Sequence, residues 1–243
     1  MHRPWPLYGQ QKTLMLINIL CCSAFSTQAY SADEEWKFTS KNAYIDRNYD
    51  NPDVKDTGSW SQSVSLFYNS NMHDTPLEIG GTPIQIGANA SAQYAVRLSQ
   101  DKHVADTVLP FDKATQSQAP DYLKYGATLK LGYNKTLLSI GELWLDLPVT
   151  TVDASRQLLT SYWGTNLKSQ LNDKIFAEIG RIEKVSPRNE EDFHRFSFTS
   201  KGVTGYSDGL NYIDLRYQFT PTLKGEYYFG NMEDLYNKHY VGI

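Results

Sequence analysis

Residues Trp144–Gly164 have the sequence WLDLPVTTVDASRQLLTSYWG. This stretch is too long and too irregular for a hairpin turn, and too apolar for an ordinary solvated loop. It lies between two segments that alternate apolar and polar residues as β-strands do, and it contains one proline, Pro148, and one arginine, Arg156. We therefore predict that it folds into the lumen of a membrane β-barrel and narrows it.

The composition favours a membrane wall over a nucleic-acid-binding or dinucleotide-binding domain. The net charge of −4 leaves no broad basic face, so no nucleic acid is expected as a partner. The chain has 17 Tyr against 10 Phe and 5 Trp, and tyrosine and tryptophan prefer the boundary between membrane and water. No phosphate-binding glycine loop and no metal-ligand spacing occur, so neither cofactor nor metal is predicted.

The N-terminus has the features of an export signal. Residues 1–32 carry two basic side chains and no acid, and the apolar run Leu14–Phe25 is too short to span a bilayer. Small residues follow, and cleavage after Ala29 or after Ala32 fits the pattern equally well. We predict a signal peptide over 1–32 and an exported chain over 33–243 that contains no cysteine.

The exported part alternates apolar and polar residues in segments of about ten residues, which is the signature of a transmembrane β-barrel. The clearest segment is Leu123–Tyr133, where Lys124 and Lys130 share the face opposite the apolar side chains. That lysine face could meet a watery lumen or, in a soluble sheet, plain solvent. The predicted strands are Trp36–Tyr49, Trp60–Asn69, about Pro83–Leu98, Leu123–Tyr133, Thr136–Leu143, Tyr162–Leu171, Lys174–Ile182, Asn211–Phe219 and one from Thr222.

The lengths of the connections support a barrel more strongly than any single strand does. Long polar loops follow the first, third, fifth and seventh predicted strands, and shorter turns follow the others, as in bacterial outer-membrane barrels. Nine strands is an odd number for such a barrel, and Ile243, which is not aromatic, comes soon after the ninth. We therefore expect an all-β, antiparallel transmembrane fold that is the N-terminal half of a larger barrel.

A set of short segments, taken in order and spacing, points to a known family. They are Arg47-Asn48-Tyr49, Trp60-Ser61-Gln62, Leu109-Pro110, Lys130, Lys135-Thr136, Gly141-Glu142-Leu143, Leu147-Pro148-Val149, Asp153-x-x-Arg156-x-Leu158-Leu159, Gly164 and Leu235-Tyr236. With them, the exported chain resembles the OprD family of substrate-specific outer-membrane porins. The chain departs from the family at Thr160, where proline is common.

The resemblance implies a barrel of eighteen strands, of which about nine would lie in this chain, with a constriction set by the third loop. It implies passive uptake of small anionic or zwitterionic solutes that bear a carboxylate, such as basic amino acids or small peptides. A row of arginines and lysines along the lumen wall would guide the carboxylate. The resemblance further implies a bacterial outer-membrane location, contact with lipid and with the barrel assembly machinery, and a monomeric or trimeric channel.

Five residues are candidates for binding the solute: Arg156, Arg47, Asp153, Lys130 and Arg216. The first two match the family's constriction-loop and first-strand arginines. An arginine offers a planar, permanently charged fork to a carboxylate, and nearby acids would set a transverse field across the gap. Alternatively, Arg156 only anchors its loop through a salt bridge to Asp153 or Asp146. For Lys124, Lys130 and Arg216, the alternative is a plain solvated barrel interior.

Two other classes of protein are alternatives to a channel: an outer-membrane enzyme and a secreted β-sandwich. An outer-membrane enzyme would need catalytic groups, and the chain offers only Gly205–Gly209, which matches G-x-S-x-G without the following helix that a nucleophile elbow requires. A secreted β-sandwich that binds ligands would bury the face of Leu129 and Tyr133, whereas a membrane barrel would expose that face to lipid. We predict that the chain is not an enzyme.

Overall fold

The computed structural model describes the backbone of residues 12–20 and the residues 34–54, 56–99, 108–112, 114–115, 117–148 and 150–243. None of these residues belongs to a helix long and apolar enough to cross a membrane. They form the strands β1 (Lys12–Leu20), β2 (Glu35–Asn48), β3 (Thr57–Asn69), β4 (His73–Ile79), β5 (Thr82–Arg97), β6 (Phe111–Asp112), β7 (Ser117–Gln118), β8 (Asp121–Tyr133), β9 (Thr136–Leu143), β10 (Ser161–Gln170), β11 (Ile175–Ser186), β12 (Ser197–Ser200), β13 (Val203–Tyr206), β14 (Leu210–Thr220), β15 (Leu223–Met232) and β16 (Tyr236–Gly242).

The long strands form one antiparallel sheet in which sequence neighbours are also spatial neighbours. Its order is β1-β2-β3-β5-β8-β9-β10-β11-β14-β15-β16, with β4 attached to β5, and no pairing joins β1 to β16 among the described residues. The hairpins β6–β7 and β12–β13 belong to the long connections rather than to this sheet. The predicted all-β, antiparallel fold is confirmed.

The two faces of the sheet have the reverse of the burial found in a soluble protein. On β8, Lys124 and Lys130 are only 3% and 6% exposed, whereas Leu123 and Tyr125 on the other face are 45% and 76% exposed. Neighbouring strands repeat the pattern, so one face of the sheet is polar and the other apolar. Because Leu129 is 42% exposed, the β-sandwich alternative is wrong. An apolar outside and a polar inside are typical of a membrane barrel wall.

All nine predicted strands are present, with ends displaced by a few residues, and the structure adds β16 (Tyr236–Gly242) after the ninth. Its sequence YNKHYVG has one aliphatic residue, Val241, so the alternation that revealed the other strands is absent. The structure also adds β4, whose sequence contains Pro76 and whose pairing with β5 has an irregular register. Neither feature gives the alternation that predicts a strand. The seventh strand extends to Ser186, four residues beyond Ile182, the end predicted for it.

The predicted signal peptide falls mostly outside the described residues, including both predicted cleavage sites. The one segment of it with a described backbone, Lys12–Leu20, forms β1 and pairs antiparallel with β2, from Lys12 opposite Asn48 to Leu20 opposite Ser40. The assignment of residues 1–32 as a signal peptide stays a prediction.

Candidate functional site

The loop between β9 and β10, residues 144–160, crosses the polar face of the sheet; we call it the constriction loop. At one end, Nζ of Lys238 on β16 donates to the carbonyl of Pro148 at 2.9 Å. At the other end, Nζ of Lys41 on β2 donates to the carbonyls of Ala154 at 3.3 Å and Arg156 at 3.2 Å. Since β2 and β16 lie toward opposite edges of the sheet, the predicted inward fold is confirmed.

Two apolar clusters hold the constriction loop against the polar face. Leu158, which is fully buried, packs with Ile45, Ala95, Val108, Leu109 and Tyr122. Leu145 and Leu147 pack with Leu143, Tyr162, Ile182, Leu210, Tyr212, Tyr228 and Met232. Burial of a leucine side chain contributes about 1.5–3 kcal/mol, so these contacts explain why so apolar a loop folds inward.

Polar side chains of the wall fix the backbone on the C-terminal side of Arg156. Nε2 of Gln157 donates to the carbonyl and the Oγ of Ser61 at 3.0 and 2.7 Å, and Oγ of Ser63 donates to the carbonyl of Gln157 at 3.2 Å. The amide of Leu159 donates to Oε1 of Gln93 at 3.1 Å. Together with Lys41, these bonds fix the backbone of residues 154–159, which carries Arg156.

Lys124 joins the constriction loop to the connection that follows β11. Its Nζ donates to the carbonyls of Leu159 at 2.7 Å, Ser186 at 3.0 Å and Pro187 at 3.0 Å. An ammonium group has three N–H donors, and all three have carbonyl acceptors here. The sequence left open a position for Lys124 in a solvated barrel interior. The structure shows instead a buried side chain that links two loops by hydrogen bonds.

Arg156 and Asp153 both lie on the constriction loop, and Arg188, which the sequence did not single out, contacts Asp153 and Ser155 there. The Arg156 side chain is partly exposed, and its Nη1 donates to the carbonyl of Ser155 at 3.1 Å. Asp153 accepts the amide of Ser155 on Oδ1 at 2.8 Å, and its Oδ2 forms an ion pair with Nη1 of Arg188. Arg188 lies in the long connection between β11 and β14, where nothing local in the sequence distinguishes it from other loop arginines.

Arg47 and Lys130 lie on the polar face, near opposite ends of the wall. Arg47 is two residues from Ile45, whose side chain is buried under the constriction loop, so the two share that face. Lys130 donates from Nζ to Oδ1 of Asn69 at 2.7 Å and to the carbonyl of Ser70 at 2.9 Å. It lines a cavity of about 360 Å³ together with Lys168, the carboxylates of Glu35 and Glu142, and the amide side chains of Asn69, Asn89 and Asn166.

Arg216 lies within a group of carboxylates on β11, β14 and β15. Its guanidinium is 2.5 Å from Oδ2 of Asp214, 3.2 Å from Oε1 of Glu226 and 4.0 Å from Oε2 of Glu178. It also lies over the ring of Phe176, 5.2 Å from the centroid. This residue is part of an ion-pair network on the wall and not in a plain solvated interior.

The five predicted site residues thus do not converge on a single pocket. Arg156 and Asp153 both lie on the constriction loop, where each bonds to the backbone of Ser155, and Arg47 lies close to the long connection after β2. Lys130 and Arg216 lie toward the short turns at the other end of their strands. The five residues are therefore spread along the polar face, from the end with the long connections to the end with the short turns.

Comparison with known proteins places these features in a family. A family model described as outer membrane porin, OprD family, matches residues 28–243. The porin-like protein GalP of Pseudomonas putida is 26% identical over 241 residues, which cover 98% of this chain and 56% of that protein. Porin D of Pseudomonas aeruginosa is 28% identical over 122 residues, covering 50% of this chain and 27% of that protein.

Solved structures show the same fold at high similarity. The crystal structure of OccAB4 of Acinetobacter baumannii is 80% identical in sequence and superimposes with a TM-score of 0.83, covering 86% of this chain and 54% of that one. The chain thus spans about half the length of GalP and of OccAB4. The matching family is one of outer membrane porins, which are channels and not enzymes. The predicted outer-membrane location and the prediction that the chain is not an enzyme are confirmed. The chain belongs to the OprD family of outer membrane porins.

Proposed function

We propose that the chain forms part of a channel for passive, substrate-selective uptake of small carboxylate-bearing solutes, such as basic amino acids or small peptides. The observation that supports this most directly is the constriction loop, which crosses the polar face and carries Arg156. A polar face without such a loop would serve a wide, unselective pore. A narrowing that carries a fixed cation discriminates solutes by charge as well as by size.

The charges near the narrowing favour an anionic group on the solute. Three cationic side chains, those of Lys41, Arg156 and Arg188, lie on or contact residues 153–156, and within these four residues Asp153 contributes the one carboxylate. A guanidinium presents two parallel N–H groups to a carboxylate and keeps its charge at every working pH. We assign to Arg156 the main contact with the solute carboxylate and to Asp153 the opposite pole of the local field.

The remaining predicted residues are proposed as earlier and later contacts on the same path. Arg47, near the long-loop end, would attract the anion first; Lys130, beside the cavity, and Arg216, within its network, would receive it beyond the narrowing. We further propose that residues 1–32 are removed as a signal peptide, and that residues 33–243 are the N-terminal half of an eighteen-stranded barrel. The barrel assembly machinery would insert it as a monomer or trimer.

The test of this function is charge-selective flux through the gene product that contains this chain, reconstituted in liposomes. Nicotinate and nicotinamide have nearly the same size and shape, and they differ by one negative charge. We expect Arg156→Ala to lower nicotinate uptake about five- to tenfold relative to nicotinamide uptake, since one charged hydrogen bond is lost at the narrowing. The readout is the ratio of the two uptake rates.

The matched control removes an equal charge far from the narrowing. Lys135 lies in the tight turn between β8 and β9, where its side chain is 65% exposed and pairs with Asp173 at 3.7 Å. Lys135→Ala should leave the ratio unchanged. If Arg156→Ala lowered the uptake of both solutes equally, the electrostatic role would be refuted, and the loop would act as a size filter alone.

A further inference from the structure

We infer that Arg188 is a second specificity-determining residue of the constriction: its guanidinium, delivered by the connection after β11, takes the solute carboxylate beside Arg156 in exchange for Asp153. This inference rests on the proposed function and adds a residue to it.

The wall strand β8 fixes the backbone at Pro187 and Arg188. Nζ of Lys124 donates to the carbonyl of Pro187 at 3.0 Å, and the hydroxyl of Tyr122 donates to the carbonyl of Arg188 at 2.7 Å. One residue away, the amide of Leu123 donates to Oε1 of Glu191 at 2.9 Å. Tyr122 is itself 2% exposed and packs in the same apolar cluster as Leu158 of the constriction loop. Strand β8 therefore holds both this part of the connection and the constriction loop.

The side chain of Arg188 then reaches the segment that carries Arg156. Its Nη1 donates to Oγ of Ser155 at 2.9 Å and forms the ion pair with Oδ2 of Asp153. Ser155 is the residue directly before Arg156, so two arginines from different loops border one short stretch of backbone. A carboxylate that reaches this stretch meets both guanidinium groups.

The ion pair between Arg188 and Asp153 is open to the solute. The two side chains are 31% and 32% exposed, so water reaches the pair and screens it, which makes exchange with another carboxylate inexpensive. Asp153 keeps a partner when Arg188 leaves, because its Oδ1 accepts the Ser155 amide. Asp153 therefore acts as an internal competitor that occupies Arg188 while no solute is present.

This arrangement predicts opposite effects for the two members of one ion pair. Measured as the ratio of nicotinate to nicotinamide uptake, Arg188→Gln should lower the ratio about fivefold, because the second guanidinium is lost. Asp153→Asn should raise the ratio about twofold or more, because Arg188 loses its competitor while the asparagine oxygen can still accept the Ser155 amide. If Arg188 were only a tether for the constriction loop, both variants would break the same contact and shift the ratio in the same direction.

The outcomes separate this inference from the function on which it rests. A wild-type channel without preference for nicotinate overturns both. If Arg156→Ala lowers the ratio and Arg188→Gln leaves it unchanged, only the role of Arg188 is overturned. A ratio that falls in Asp153→Asn overturns the same role. If Arg188→Gln gives no heat-modifiable, folded protein, the decision rests on Asp153→Asn with Arg188→Lys, which keeps the charge. The inference then requires a raised ratio in the first and a ratio close to wild type in the second.

Discussion

Replacement of Gly164 by valine is expected to abolish assembly of the barrel. Gly164 lies on β10 opposite Gly141 of β9 and Ile182 of β11, at an irregularity in the register next to Trp163. A Cβ at this position would lie 2.2 Å from the carbonyl oxygen of Arg181 and 2.9 Å from Cα of Ile182. Both are backbone atoms of the neighbouring strand, so no side-chain rotation relieves the clash, and β10 and β11 must separate.

The cost of such overpacking is about 1–3 kcal/mol when side chains can yield, and it is larger when backbone must move. We therefore expect Gly164→Val to remain almost entirely in the unfolded, heat-insensitive form on electrophoresis in detergent, and to be degraded by added protease. Wild-type protein should migrate as a compact band before heating and as a slower band afterwards.

Gly80 provides the control for this substitution. It lies in the hairpin turn between β4 and β5 with φ of +60°, and a Cβ there would meet no atom within 4 Å. Asparagine tolerates this backbone region, so Gly80→Asn should assemble normally. Normal assembly of Gly164→Val would show that close approach of the strands at Gly164 is not required. An equal loss in Gly80→Asn would show that the assembly defect is not specific to that approach.

The sheet could be predicted from the sequence where the membrane itself imposes the pattern. Lipid demands an apolar side chain at every second position, as in Leu123, Tyr125 and Leu129, and this periodicity is visible without any knowledge of neighbours. The strand β16 was not predicted because its residues, YNKHYVG, carry almost no apolar alternation. The strand β4 was not predicted because Pro76 and charged residues are more typical of a turn.

The candidate site could be predicted only where its contacts leave a local pattern in the sequence. The inward fold of the constriction loop was visible in its apolar residues, such as Leu145, Leu147 and Leu158, which need a surface to pack on. The role of Lys124 depends on carbonyls that are 35 to 63 residues away in sequence, and the role of Arg188 on Ser155, 33 residues away. Hydrogen bonds to backbone carbonyls leave no residue pattern, because every residue has a carbonyl.

The second large effect is expected from Lys124→Met, which should loosen the constriction without preventing assembly. Methionine fills most of the space of the lysine stem, but it donates no hydrogen bond, so the carbonyls of Leu159, Ser186 and Pro187 lose their shared donor. A hydrogen bond from a charged donor contributes about 1.5–3 kcal/mol, and three are lost together. The constriction loop would remain attached by Lys41, Gln157 and the bond from the Leu159 amide to Gln93, and it would gain mobility where the carbonyl of Leu159 loses its donor.

We expect single-channel conductance to rise severalfold in Lys124→Met, with a weaker preference for nicotinate over nicotinamide and faster cleavage by protease within residues 155–160. Lys135→Met is the control, because Lys135 is exposed at a tight turn and contacts Asp173 alone among the described side chains. Heat-modifiable migration should persist in both variants, since the strand pairing of β8 is untouched. Unchanged conductance in a folded Lys124→Met channel would mean that the apolar clusters alone hold the loop, and that the three carbonyl contacts of Lys124 contribute little to its position.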